Sequence, residues 1–121
     1  MSWRSDRGAA TIWVLALGVV ILSVAMVVTA RGSAVLARHR LEHVADLTAL
    51  AAAQEIGRTP QPCAIASRIA AANAAVLVSC TARLDGSGRS GTVVLTVRRT
   101  VSLPLVGART LTSWSRAGRM P

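Results

Sequence analysis

His39 and His43 stand four residues apart with Glu42 and Asp46 beside them. On a helix that spacing projects both imidazoles from one face, as a zinc site needs. The segment offers no third ligand of suitable reach, and its order, HRLEH, is not the H-E-x-x-H of zinc peptidases. The set reads as a solvated helix stripe. Gly86–Gly91, GSGRSG, matches the dinucleotide fingerprint literally. That fingerprint needs a strand before it, a helix after it and an acid about twenty residues on. Here strand-like sequence follows and no acidic residue occurs after Asp85, so a turn is predicted. No Cys–His or Ser–His–Asp set with a supporting fold is present. No enzyme, cofactor, metal or small-molecule substrate is expected.

The one covalent possibility is Cys63 with Cys80. In a small domain outside the cytoplasm such a pair reads as one disulfide, stabilising by about 3 kcal/mol through loop closure. Two free thiols in a cytosolic domain is the competing reading.

These residues depend on an element that comes before them. Gly8–Ala30, GAATIWVLALGVVILSVAMVVTA, carries no charge and is bracketed by Arg7 and Arg31. As a helix it would be roughly 34 Å long, enough to cross a hydrocarbon core of about 30 Å. It is too long for the apolar core of a signal peptide, so it is expected to stay as an anchor. Trp3 and Trp13 suit the headgroup interface. Beyond it, Ala34–Ile56 is rich in helix formers, with Leu41, Val44, Leu47 and Ala51 at helical spacing and Arg38 set to pair with Glu42. One helix from about Ala9 to Ile56 is predicted, with Gly32 able to bend it and Gly57 ending it. Val44, Leu47 and Ala51 are expected to pack on a small domain, leaving the alanine-rich opposite face for partners.

Cys63–Val76 is predicted as a short helix after Thr59-Pro60-Gln61-Pro62. Leu77–Leu84 and Thr92–Leu103 read as strands joined by the 85–91 turn. Pro104 breaks the second, Thr110–Trp114 forms a short third, Trp114 packs within the sheet, and SRAGRMP frays. The expected architecture is thus α+β and membrane-anchored: a tail at 1–7, a transmembrane helix at 8–30, a juxtamembrane helix at 31–57 and a small α+β domain at 58–121. The arginines around the anchor mildly favour a cytoplasmic C-terminal side, whereas the cysteines and the short tail favour the reverse. The reverse is adopted: N-terminus cytoplasmic, C-terminal domain extracytoplasmic.

Fourteen basic residues, all arginine, stand against 5 acidic ones, for a net charge of +9. The absence of Lys, Phe and Tyr is the mark of GC-rich codons as much as of function. Apart from Arg98-Arg99 the arginines are scattered and no aromatics interleave with them. A nucleic-acid partner is therefore not expected. A membrane-tethered basic module binding DNA or anionic lipid is the alternative reading.

Two stretches carry a resemblance. DRGAATIWVLAL, Asp6–Leu17, resembles the N-terminal signature of type IV pilin-like proteins, particularly the TadE/TadG-like group of the tight-adherence (Flp) pilus machinery. ARHRLEHVADLTALAAA, Ala37–Ala53, is similar to the post-membrane helix of TadG-like proteins, matching at Ala45, Asp46, Ala49, Leu50, Ala51, Ala52 and Ala53. The cysteine-bracketed segment resembles that of small actinobacterial TadE-like proteins. The resemblance implies a pilin-like fold and a pseudopilin-like component of a pilus or secretion apparatus in the cell membrane. Its partners would be other membrane proteins of that apparatus, met through a helix face including Ala45, Asp46, Ala49, Leu50, Ala52 and Ala53. It also implies prepilin-type cleavage between Gly8 and Ala9. Such substrates usually carry Glu five residues past the cut, where this chain has Trp13.

Overall fold

The computed structural model describes residues 6–121, by backbone alone at Asp6 and Arg7. The expected tail, with Trp3 and Arg4, lies outside the described residues or their described side chains. Helix α1 is a single α-helix, Asp6–Gln54, about 73 Å long at the usual rise. Gly32 does not interrupt it. Two hydroxyls of its apolar run fold back onto the helix: Ser23 Oγ donates to the Val19 carbonyl and Thr29 Oγ1 to that of Ala25, each at 2.8 Å. That removes their cost in an apolar medium. Past Gln54 the chain turns through Gly57 at φ +78°. A Cβ there would press on Arg89 Cα at 3.2 Å, so both the left-handed backbone and the close loop above it require glycine. Helix α2, Pro62–Ala72, begins on its proline, whose missing N–H costs nothing at a first turn.

Three strands follow: β1 Val76–Leu84, β2 Gly91–Leu103 and β3 Gly107–Arg119. They form an antiparallel sheet in the order β1-β2-β3, with an irregularity between Leu77 and Ser79. One face is covered. α1 lies over β3 and β2, and α2 fills the corner between α1 and β1. The protein is α+β, as the sequence predicts. The disulfide Cys63–Cys80 is formed, with Cα atoms 5.9 Å apart, and it ties α2 to β1.

The core is narrow and made of small groups. From α1 come Leu41, Val44, Ala45, Ala49, Ala52 and Ala53; from the turn after it, Ile56; from α2, Ala66 and Ala70; from β2, Val93, Leu95 and Val97. Alanines let the helix approach the sheet closely, and β2 supplies the bulk. Thr48 is also fully buried, and its hydroxyl has no partner among the described residues.

Two expectations about the C-terminal third need correction. The third strand is not a short piece over 110–114, and the tail does not fray before Arg119. β3 pairs with β2 from Gly107 to Arg119 without a break in register. Trp114 is not a packing residue within the fold; it is 70% exposed on the uncovered face.

Two stability measurements follow on the full chain in micelles. Replacing Cys63 and Cys80 together by Ser should lower unfolding stability by about 3 kcal/mol, the loop-closure value for this separation. Thr48→Val removes the orphaned hydroxyl and should raise stability by about 1 kcal/mol, read as a higher thermal midpoint.

Candidate interaction surfaces

The segment with the most distinctive residues, Ala37–Ala53, is where α1 meets the sheet. Asp46 accepts a hydrogen bond from Ser115 Oγ at 2.6 Å, a charge-assisted tie across the helix–sheet seam. At the helix end, Arg119 Nη1 donates to the carbonyls of Gln54 (2.8 Å) and Ile56 (2.6 Å). The last turn of α1 has no basic residue of its own. An arginine from the last strand thus satisfies carbonyls that the helix leaves open and sits at the negative end of its dipole.

This geometry decides which helix face is free. Ala45, Ala49, Ala52 and Ala53 are at most 1% exposed, enclosed by the chain's own sheet and α2. The alanine-rich face therefore does not point outward, contrary to expectation, and Asp46 is committed to Ser115. Of the expected inner residues, Val44 is buried, Ala51 half-buried, and Leu47 stands 57% exposed. The physical reason is size: the helix approaches the sheet along its smallest residues. That leaves Leu47 and Leu50 (50% exposed) on the outer side, with His43 and Gln54 at helical spacing beside them. Leu50, among the residues expected to form the partner face, remains available.

The histidine set behaves as a surface stripe. His39 Nδ1 lies 3.2 Å from Glu42 Oε2, and Arg38 Nε donates to Glu42 Oε1 at 3.1 Å. Exposed pairs of this kind contribute little. Among the described residues no group of three His, Cys, Asp or Glu converges on a point.

The G-x-G-x-x-G stretch is the β1–β2 turn. Asp85 sits at its centre, where Oδ1 accepts from Ser87 N (3.2 Å), Ser87 Oγ (2.7 Å) and Ser90 N (3.4 Å). Its Oδ2 accepts from Ser90 Oγ. The amides a phosphate would need already face a carboxylate of this chain. Gly91 is required for another reason: a Cβ there would collide with the Arg83 carbonyl oxygen across the hairpin.

The uncovered sheet face carries Arg83, Arg98 and Arg116, with Trp114, Val94 and a set of threonines between them. Arg83, Arg116, Thr81, Thr92 and Val94 line a shallow open depression. No acidic residue lies on these strands. Little in the linear order of residues signals this grouping, because the arginines are brought together by cross-strand register.

The membrane-length part of α1 is a surface too. Ile12, Trp13, Leu15, Val20, Leu22, Val24 and Val28 are all more than half exposed, and the most apolar window of the helix has none of its residues buried. A core helix of a water-soluble fold would be covered. Gly8 and Ala9 are exposed within the first helical turns.

Residues 8–55 match the family model described as "Putative Flp pilus-assembly TadE/G-like". The match ends within one residue of the end of α1 and leaves α2 and the sheet outside it. No curated protein and no solved structure matches the chain.

The Asp85 carboxyl is held below its ordinary value of 3.8, chiefly by the Ser87 hydroxyl. A folded value below the unfolded one means the contribution is present above pH 3.8 and disappears as the pH falls through the lower folded value. Amide exchange at Ser87 and Ser90 should therefore accelerate in strong acid. In Asp85→Asn it should be fast and lose that acid step.

Proposed function

We propose that this chain is a non-enzymatic, membrane-anchored, pseudopilin-like component of a Tad/Flp-type pilus or secretion apparatus, acting by packing its long helix against partner subunits. The observation that carries the reading is the coincidence of the TadE/G-like match with α1. That helix is lipid-compatible and uncovered over one half and sheathed by its own sheet over the other. Residues 8–30 lie in the bilayer, 31–57 continue the helix beyond it to Gln54 and turn at Gly57, and 58–121 complete a small domain. The formed disulfide favours an extracytoplasmic domain, hence a cytoplasmic N-terminus. Small residues on the anchor, Ala9, Ala16, Gly18 and Ala25, permit close approach of neighbouring helices within lipid. Outside it, Leu47 and Leu50 extend the contact. Cleavage between Gly8 and Ala9 would free the helix start for assembly.

The mechanism asks for no chemistry. The bilayer stores the subunit by burying the apolar half of α1, and assembly exchanges lipid contacts for helix contacts, so little net apolar burial drives it. Specificity then has to come from the outer stripe and the sheet surface.

Leu47→Asp with Leu50→Asp should cost less than about 1 kcal/mol in stability, as surface changes do, while abolishing co-purification with the apparatus's membrane proteins from native cells. Ala49→Glu should behave differently, placing a charge in the sealed seam and unfolding the domain. Equal recovery of partners by the double aspartate variant would refute the outer stripe.

A further inference from the structure

The β2–β3 hairpin is longer than its core contacts require. β2 contributes buried residues only from Val93 to Val97, yet both strands run on to a tip at Pro104–Val106. From Ser115, tied to Asp46, ten strand residues lead to Leu105, about 33 Å. The same distance back along α1 from Asp46 is about twenty-one residues, reaching Ala25. The tip is found there: Pro104 and Leu105 form a groove of about 300 Å³ with Leu22, Ala25, Met26 and Thr29. Between these ends, Ser33, Ala34 and Ala37 are half-buried, small enough to let the hairpin lie along the helix.

Ala25 lies within the apolar run Gly8–Ala30, so the tip reaches membrane depth. Its composition suits that place. Leu103, Pro104, Leu105, Val106 and Gly107 include no polar side chain, and Leu105 and Val106 are 69% and 50% exposed. Leu105 adopts φ +65°, a left-handed position that Asn or Gly fills at less cost in a water-facing turn. Arg109, exposed on β3, stands about 13 Å up the strand from Leu105, and Arg31 about 9 Å up the helix from Ala25. Two arginines thus follow the apolar tip at backbone offsets of about 9 and 13 Å, within side-chain reach of the level where lipid phosphates would lie.

We propose that the β2–β3 tip is a second membrane contact: Leu105 and Val106 insert among the acyl chains of the leaflet on the domain's side, with Pro104 against α1 and Arg31 and Arg109 at the headgroups. This rests on the reading that α1 spans the bilayer, whichever way it faces. Held at two points, the domain keeps a set depth, and the Leu47–Leu50 stripe stands at a fixed height above the lipid surface.

The test uses the full chain in phosphatidylcholine–phosphatidylglycerol vesicles, its native cysteines locked in their disulfide. Single variants Leu105→Cys, Val20→Cys and Met120→Cys each carry a fluorophore; all three positions are exposed. Lipids brominated along the acyl chain should quench the labels at 105 and 20 and leave 120 unaffected, with iodide in water doing the reverse. Quenching at 20 combined with iodide quenching at 105 overturns the tip contact while the anchor stands. A label at 105 shielded from both quenchers means that protein covers the tip, which also overturns it. No lipid quenching at 20 removes the anchor and the tip contact together.

Discussion

The seam between the alanine face of α1 and the sheet is what the rest of the molecule depends on. A helix of this length outruns the fold, and the sheet seals only its second half. There the helix presents Ala45, Ala49, Ala52 and Ala53, side chains that lose almost no conformational freedom on burial. They contribute little transfer free energy each, so the fold relies on closeness of approach and on the larger Leu41, Ile56, Val93, Leu95 and Val97 to fill the layer. A core so thin has few spare contacts. The disulfide between α2 and β1, Ser115 on Asp46 and Arg119 on the helix end each fasten a different border of it.

That seam also explains what is left outside. Because the smallest residues of the helix turn inward, its larger ones, Leu47 and Leu50, are left facing water. An isolated soluble protein has no use for two exposed leucines on consecutive turns beside a bare apolar rod. In a protein whose neighbours are other helices they are the natural meeting place. The uncovered sheet face has a different character, arginine, threonine and one tryptophan, and suits a polar partner better than a lipid one.

Much of the architecture was legible because it rests on strong local signals. The uncharged run from Gly8 to Ala30, the proline-rich break before Pro62, the two cysteines and the glycine turn at 85–91 each have one dominant physical meaning. β3 was harder to read. Its inward positions include Ser113, Ser115 and Ala117, small because they lie under an alanine helix, while the large Trp114 points out. The usual alternation of large apolar with polar is therefore inverted. The facing of the helix failed for a related reason: Leu47 outranks Ala49 in hydropathy, whereas fit against a close sheet selects the alanine. Asp46 carries no sign in the sequence that its acceptor role is met by Ser115, sixty-nine residues away. The apolar tip at Leu103–Gly107 was visible as letters, but its depth along the helix emerges only from strand register.

An unbroken helix clasped by a hairpin along much of its outer half has a mechanical meaning. From Ala30 to Gln54 it extends about 36 Å beyond the membrane-length run. A tilt of about 10° in the bilayer, well within the range of single-pass helices, would swing its far end through about 6 Å. Changes in bilayer thickness would thus arrive at the distal turn as displacement instead of being absorbed by a joint. The molecule is built as a lever.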